Sequence, residues 1–203
     1  MGVVIGLTGS IATGKSTISQ MFQSFDIPVV DADIISREVV EIGKPAYHQI
    51  VECFGEEILN EDRTLNRKRL GQVIFKDPKK RKYLNDIVHP QVRIEILRQR
   101  DEYVKRGVKA VVLDIPLLFE SQLAHYVDRT LVVYVDEETQ LKRLKNRDES
   151  SEEEARDRIQ AQITISKKAK MADEIIDNTG TVKESFQQLQ QILVNWHVLN
   201  EPD

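Results

Sequence analysis

The chain has 203 residues, of which 31% are charged and 40% are hydrophobic, and its net charge at neutral pH is −4. This length suits one core domain with inserted subdomains, and the composition is that of a globular protein. The negative charge does not favour nucleic-acid binding, and no apolar run approaches the roughly 18 residues of a membrane-spanning helix. We therefore expect neither a nucleic-acid partner nor a membrane partner.

The cysteine content and the start of the chain bear on where the protein works. The one cysteine, Cys53, excludes an internal disulfide and suits a reducing compartment. It falls on a predicted helical stripe with Ile50 and Phe54, so we interpret it as a packing residue. A strand-like run begins at Val3 and leaves no room for a targeting segment. We expect a cytoplasmic protein that acts as a monomer.

A glycine-rich loop lies between the first predicted strand, residues 3–7, and the first predicted helix. The stretch GLTGSIATGKST, residues 6–17, matches the phosphate-loop pattern G-x-x-x-x-G-K-[ST] in the strand–loop–helix context that the pattern requires. The pattern positions are Gly9, Gly14, Lys15 and Ser16. A glycine-rich turn without a ligand is the alternative, but the complete pattern favours a nucleoside triphosphate site.

The chemistry of this loop is anion binding. Glycines let the backbone wrap around phosphates without a Cβ clash, and the amides at a helix start attract negative charge. Lys15 is expected to reach the β- and γ-phosphates, from a side chain that is exposed in the free protein. The Ser16 hydroxyl is expected to bind Mg²⁺ directly.

Two carboxylates follow the second predicted strand, Val29–Asp31, in the sequence Asp31-Ala32-Asp33. In open α/β sheets, ligands bind beyond the carboxyl ends of the strands. Asp33 is therefore a candidate base that accepts the proton of an attacking hydroxyl group. The alternative is that Asp33 only caps a helix over residues 34–41.

The residues between the second and third strands contain helix signals and no convincing strand. Apolar residues at helical spacing precede Gly55, which predicts a helix that ends there. Asp77 caps a helix that begins at Pro78, and Pro90 opens a further helix that ends at Gly107. This part of the chain is predicted to be helical throughout.

The remaining strand signals complete a parallel sheet. The predicted strands are Ala110–Asp114, residues 131–135 and Glu174–Asp177. Strands that alternate with helices indicate an α/β fold, a five-stranded parallel sheet flanked by helices. Asp114 ends its strand where many phosphate-loop proteins hold Mg²⁺ through water, and the alternative is a plain turn.

A charged interruption at about residues 146–172 separates the last two strands. It contains the capping-box pattern of Ser151 with Glu154, and the final helix begins with the same pattern at Thr181 and Glu184. In nucleotide-binding enzymes, an insertion of this kind usually closes over the phosphates.

These motifs together resemble those of the dephospho-coenzyme A kinase family along nearly the whole chain. The resemblance rests on GLTGSIATGKST at 6–17, VVDADIISREVV at 29–40, HP at 89–90, PLLFE at 116–120, TQLKRLKNRD at 139–148 and ADEIIDNTG at 172–180. It implies ATP-dependent phosphorylation of the ribose 3′-hydroxyl of dephospho-coenzyme A. The implied partners are ATP as co-substrate with Mg²⁺, and dephospho-coenzyme A.

The resemblance also implies roles for individual residues. The implied ATP-binding residues are Gly9, Ala12, Thr13, Gly14, Lys15, Ser16, Thr17 and Asn178. The implied acceptor-binding residues are Asp31, Asp33, His89 and Leu117. The implied catalytic residues are Asp33, Lys15 and Arg147. His89 has an alternative role, because His89 with Pro90 is first of all a helix-start signal.

Two positions depart from the family pattern. Ala12 replaces a glycine of many members, from which we expect little functional change, and Asp114 is not part of the pattern. The implied parts of the chain are a nucleotide-binding core (1–32, 108–145 and 172–203), a helical acceptor domain (33–107) and a lid (146–171). The phosphate loop alone leaves two other functions open: another nucleoside or small-molecule kinase, and a nucleotide-dependent switch without an acceptor.

Overall fold

The structure, a computed structural model, describes residues 2–75 and 77–200. The strands are β1 (Val3–Gly9), β2 (Val29–Asp31), β3 (Ala110–Asp114), β4 (Arg129–Tyr134) and β5 (Glu174–Asp177). The α-helices are α1 (Lys15–Met21), α2 (Ala32–Glu38), α3 (Pro45–Phe54), α4 (Arg67–Phe75), α5 (Pro78–Lys105), α6 (Glu137–Asp148), α7 (Glu152–Gln160), α8 (Ile165–Met171) and α9 (Val182–Asn195). Short 3-10 helices cover Phe22–Phe25, Glu56–Ile58 and Ala124–Tyr126.

The sheet has the strand order β2-β3-β1-β4-β5, so β1 lies at its centre. β1 pairs in parallel with β3 and β4, and β4 pairs in parallel with β5. Leu7 of β1 is level with Asp114 of β3 and with Leu131 of β4. The loop after β1 and the carboxylate that ends β3 therefore emerge at the same edge of the sheet. The predicted α/β fold with a five-stranded parallel sheet is confirmed.

The central strands are buried on both faces, as parallel strands covered by helices must be. Ile5, Val112 and Leu131 have no exposed surface. Phe22 and Leu189 pack against them in one core cluster. The strand predictions hold for β2, β3 and β5, whereas β1 extends to Gly9 and β4 begins two residues earlier than predicted, at Arg129.

Both predicted capping boxes form. The Ser151 side chain accepts a hydrogen bond from the Glu154 amide at the start of α7, and Glu154 bonds back to the Ser151 amide. Thr181 and Glu184 make the same reciprocal pair at the start of α9. Each box satisfies amides that the first helical turn leaves without partners, which is why a four-residue pattern suffices to predict the helix start.

The chain separates into two compact units, Met1–Val30 with Arg100–Asp203, and Asp31–Gln99. The second unit has its own buried side chains on α3, which include Tyr47, Ile50 and Phe54. The Tyr47 hydroxyl donates to the carbonyl O of Arg63 at 2.6 Å, which closes the loop after α3 onto that helix.

The prediction that Pro90 opens a helix is wrong. Pro90 lies inside α5, which runs unbroken over Pro78–Lys105. Asp77 caps this helix as predicted, since its side chain accepts from the amides of Lys79 and Lys80 at 2.9 and 3.2 Å. A proline removes only one donor of the helix ladder, at a cost of about 3 kcal/mol. The helix has 28 residues, so the other bonds of its ladder offset the loss of this one donor.

Two further expectations concern the surface. Cys53 is exposed, so its interpretation as a packing residue is wrong: Ile50 and Phe54 form the buried stripe, and Cys53 points away from it. Within residues 2–75 and 77–200, each helix is either too short or too polar to cross a bilayer.

Candidate active site

The phosphate loop joins β1 to α1, and Gly14 is the residue at which its backbone turns. Gly14 is the N-cap of α1 and has a φ of 85°, in the left-handed region. A Cβ at this position would stand 2.3 Å from Nδ2 of Asn178. Glycine meets both requirements because it has no Cβ. The local geometry therefore explains the glycine of the sequence pattern.

Ala12 has a similar backbone conformation although it is not a glycine. Its φ is 63°. This conformation costs an L-residue roughly 1–2 kcal/mol, because Cβ approaches the following carbonyl. The departure from the family pattern thus falls at a strained position of the loop.

Two glutamine side chains hold the loop from distant parts of the chain. Gln140 of α6 donates from Nε2 to the carbonyl O of Ile11 at 2.8 Å. Oε1 of Gln162 accepts from the Ser10 hydroxyl at 2.9 Å and from the Ile11 amide at 3.2 Å. The amide and the carbonyl O of Ile11 are thus both hydrogen-bonded to side chains. The loop is therefore preformed in the free protein.

Asn178, predicted to bind ATP, also holds this loop. Its Nδ2 donates to the carbonyl O of Thr13 at 2.8 Å, and its Oδ1 accepts from the Ser185 hydroxyl at 2.8 Å. Thr13 is itself buried and donates from its hydroxyl to the carbonyl O of Ser10 at 3.0 Å. Both side-chain groups of Asn178 are engaged with protein, an arrangement that suits support of the loop.

Lys15 and Asp114 form an ion pair at the carboxyl edge of the sheet. The side chain of Lys15 is 18% exposed and that of Asp114 is 2% exposed. The expectation of an exposed Lys15 is therefore wrong, because the carboxylate at the end of β3 draws the ammonium group inwards. A phosphate that displaced this carboxylate would bind to an ammonium group that is already in position.

Ser16 is exposed in the first turn of α1, and the amide of Thr17 donates to the carbonyl O of Gly14 at 3.0 Å. Among the described residues there is no group of three or more His, Cys, Asp or Glu side chains that could hold a metal ion. Mg²⁺ in kinases is usually held by one or two protein groups, with substrate phosphates and waters as the other ligands. The Ser16 hydroxyl and the Asp114 carboxylate are oxygen donors of the kind that such a site uses.

Arg143 and Arg147 stand one turn apart on α6 and have different surroundings. Arg143 is half-buried, and its Nη2 donates to the carbonyl O of Asn178 at 3.0 Å. Its Nη1 lies 4.0 Å from the point where a Cβ at Gly14 would stand. Arg143 is thus the arginine that the structure places beside the phosphate loop.

Arg147, the predicted catalytic cation, pairs instead with Asp148. Its Nε and Nη2 donate to the two carboxylate oxygens at 2.8 and 3.0 Å, and its side chain is 53% exposed. Arg158 also pairs with Asp148. Hydrogen bonds from Arg147, followed by those from Arg158 and the charges of both, lower the pKa of Asp148 to about 2.

The carboxylates after β2 belong to the second compact unit. Asp31, not Asp33, is the N-cap of α2: its Oδ1 accepts from the amides of Asp33 and Ile34 at 2.7 and 3.0 Å. The alternative in which Asp33 caps this helix is therefore wrong, because the helix begins two residues earlier than predicted. Asp33 is exposed, and within residues 2–75 and 77–200 its carboxylate has neither a hydrogen bond nor an ion pair.

The other predicted acceptor-binding residues are also at the surface. His89 is exposed on α5 and lies inside that helix, so it has no role in starting it. Leu117 is 42% exposed in the turn that follows β3, next to the buried Leu118.

Comparison with known proteins gives evidence on the family of this chain that does not depend on the geometry above. The dephospho-CoA kinase family model matches residues 3–184. The chain belongs to the dephospho-CoA kinase family. A dephospho-CoA kinase of Bacillus cereus is 59% identical over 200 residues, which cover 98% of this chain and 100% of that protein. The family resemblance predicted from the motifs is confirmed.

Two solved structures have a fold similar to that of this chain. A dephospho-CoA kinase from Campylobacter jejuni has a TM-score of 0.76 and 31% identity, covering 97% of this chain and 98% of its own. A crystal structure of a protein from Thermus thermophilus has a TM-score of 0.80 and 31% identity, covering 96% of this chain and 97% of its own. The fold described above is therefore that of the dephospho-CoA kinase family over almost its full length.

Sequence reasoning missed the residues of this family member that hold the loop in place. Gln140 and Lys168 have no exposed surface, yet both lie in strongly charged stretches that suggest a helix surface. One signal was available for Gln140, which precedes the buried Leu144 by one helical turn and so shares its face. The same kind of signal was available for Lys168, which follows the buried Ile165 by three residues and so shares its face. Its pairing with the distant Glu120 carboxylate cannot be read from one sequence.

Proposed function

We propose that this chain transfers the γ-phosphoryl group of ATP to the ribose 3′-hydroxyl of dephospho-coenzyme A. The observation that carries the proposal is the preformed phosphate loop, with Lys15 already placed at its mouth, in a chain that matches the dephospho-CoA kinase family over residues 3–184. Phosphoryl transfer needs positioning and charge stabilisation more than covalent chemistry from the protein. A loop held by hydrogen bonds, with the half-buried cation Lys15, supplies both.

ATP binding is expected to exchange the partner of Lys15. In the free protein this ammonium faces Asp114. The β- and γ-phosphates carry more negative charge than one carboxylate, so the lysine moves to them at little cost in reorganisation. Residues 12–17 are proposed to bind the same phosphates, and Asn178 holds this part of the loop through the carbonyl O of Thr13.

Release of Asp114 from Lys15 gives that carboxylate a second task. We propose that Ser16 holds Mg²⁺ directly and that Asp114 holds it through water. The bound ion would neutralise charge on the β- and γ-phosphates. Asp114 is 2% exposed and fixed at the end of β3, so its position is set before the nucleotide arrives.

Asp33 is proposed as the base that accepts the proton of the attacking hydroxyl. Its carboxylate is exposed in the first turn of α2, and Asp31 performs the capping that would otherwise occupy it. The roles are thus divided between the two carboxylates: Asp31 sets the helix start, and Asp33 is available to the acceptor. Asp31, His89 and Leu117 are proposed contacts of the acceptor.

Arg147 is proposed to stabilise the charge of the transferring phosphoryl group. An exposed pair such as that with Asp148 is worth roughly 0–1 kcal/mol, so it is easily exchanged for a phosphate. This role requires movement within residues 146–171, the proposed lid, while residues 33–107 are proposed to bind the acceptor. Arg143 supports the loop through Asn178 and is the second candidate.

An assay of ADP release separates this function from its rivals. We expect turnover with dephospho-coenzyme A and none with nucleosides or without an acceptor. Phosphorylation of a nucleoside would indicate another small-molecule kinase, and acceptor-independent turnover would indicate a nucleotide switch. Mass spectrometry of the product, with a 3′-deoxyribose analogue as the control acceptor, tests the position of transfer.

We further propose that the enzyme acts as a cytoplasmic monomer.

A further inference from the structure

Lys168 of α8 is a lysine whose side chain has no exposed surface. Its ammonium donates to the carbonyl O of Gly9 at 2.8 Å, to the carbonyl O of Pro116 at 3.0 Å and to Oε1 of Glu120 at 2.9 Å. An ammonium has three donors, and these contacts use all of them. The charge is buried but fully hydrogen-bonded, so its position is tightly fixed.

The counter-charge of Lys168 is less well satisfied. Oε1 of Glu120 accepts from Lys168 and from the Ile163 amide at 3.1 Å, whereas Oε2 is buried without a hydrogen-bond partner among the described residues. A buried ion pair with an unpaired oxygen contributes little net free energy to folding, because removing charges from water costs several kcal/mol per ion. Stability alone therefore does not account for this pair.

The contact with Gly9 connects Lys168 to the phosphate loop. Gly9 is the first glycine of the loop pattern and the last residue of β1. The next residues, Ser10 and Ile11, are bonded to Gln162, six residues before Lys168. The short stretch of residues 162–168 thus holds three consecutive residues at the start of the loop.

Lys168 and Glu120 bring a pair of opposite charges next to the start of the phosphate loop. Burial lowers the pKa of Lys168, its bond to Glu120 opposes this shift, and the positive charge of Lys15 lowers it further.

We propose that Lys168 is a positioning residue for the ATP site: it fixes the start of the phosphate loop through the Gly9 carbonyl. Lys168 acts through the loop and does not touch the nucleotide. This role presupposes the ATP site proposed above, but not the identity of the acceptor. The competing explanation is a buried ion pair that only stabilises the fold.

The test measures ATP affinity without an acceptor, by calorimetry, in variants that separate the two explanations. Lys168→Met keeps the length of the side chain and removes its charge and donors. Because this leaves Glu120 buried without its partner, the double variant Lys168→Met/Glu120→Gln is made as well. Lys167→Met is the matched control, an exposed lysine on the same helix given the same substitution.

We expect the folded double variant to bind ATP at least about tenfold more weakly than the native protein. Its KM for the acceptor should change by less than about twofold, because the loop serves the nucleotide alone. Glu120→Gln keeps the lysine and an acceptor oxygen, so it should retain ATP affinity, as should Lys167→Met.

The proposal is overturned if the folded double variant binds ATP within about twofold of the native protein. It is equally overturned if neither Lys168 variant folds, because the pair then serves stability. If the native protein binds ATP but does not phosphorylate dephospho-coenzyme A, the proposed function fails while the role of Lys168 stands. The two failures are therefore distinguishable.

Discussion

The phosphate loop and the segment 146–160 hold their charged and polar groups in opposite ways. The loop is fixed by buried or half-buried bonds to Gln140, Gln162 and Asn178. The segment is held by ion pairs at the surface, such as Arg147 with Asp148 and Arg156 with Glu152. Buried bonds are costly to break, whereas exposed pairs exchange partners almost freely. A site that must be ready for phosphate and also open to substrates can use both arrangements.

The largest expected effect tests the buried side of this comparison. Lys15→Ala should lower kcat by about 10³-fold or more, the scale of losing a cation that stabilises the transferring phosphoryl group. It should also lower the free energy of unfolding by roughly 1–3 kcal/mol, because Asp114 is left buried with its charge uncompensated by the lysine. Steady-state kinetics and thermal unfolding measure the two effects.

The double variant Lys15→Ala/Asp114→Asn is the control for Lys15→Ala. It should regain stability but not activity, because it removes the buried negative charge of Asp114 without restoring the cation. Near-native turnover of Lys15→Ala would show that Lys15 does not bind the phosphates.

Asp33→Asn asks whether an exposed residue can carry as much function as a buried one. The amide is a poor base, so kcat should fall by about 10²–10⁴-fold while ATP affinity stays unchanged. Stability should barely change, because Asp31 is the cap of α2. Asp31→Ala is the matched control and should cost about 0.5–2 kcal/mol of stability. If Asp33→Asn loses stability but keeps its kcat, Asp33 is structural.

Arg147→Lys tests whether the loosely held segment takes part in catalysis. Lysine keeps the charge but lacks the planar fork, so a catalytic contact should suffer and a surface pair should not. We expect a loss of at least about tenfold in the single-turnover rate, equivalent to about 1.4 kcal/mol, with little change in melting temperature. Single-turnover kinetics are needed because slow opening can hide a chemical defect.

Two matched variants sharpen the result for Arg147. Arg158→Lys changes the other partner of Asp148 and should leave the rate within about twofold. Arg143→Lys changes the arginine beside the loop. If Arg147→Lys matches the native rate while Arg143→Lys is slow, the working cation is Arg143 and the segment contributes none.

The smallest expected effect lies within the loop itself. Ala12→Gly removes left-handed strain of roughly 1–2 kcal/mol but adds freedom worth about 0.4–1 kcal/mol to the unfolded chain. Stability should rise by about 1 kcal/mol or less, and activity should stay within about twofold. Gly14→Ala is the reverse control and should be severely damaging, since its Cβ would meet Asn178. A clear loss of stability in Ala12→Gly would mean that the Ala12 methyl group packs favourably.

The sequence by itself determined the features that depend on neighbours along the chain. The phosphate loop, the capping boxes at Ser151 and Thr181 and the apolar runs of the central strands are each built from contiguous residues, so their geometry follows from local patterns. The family pattern followed for the same reason, because it is a set of short motifs in order.

Only the tertiary structure decided which polar groups are buried and what they bind. Lys168 is fixed by Gly9 and Glu120, which are remote in sequence, and Lys15 is drawn inwards by Asp114. The start of α2 at Asp31 and the continuation of α5 through Pro90 are local features that the sequence patterns placed wrongly. The free energy of a buried charge depends on where its partner lies in space, and one sequence does not contain that distance.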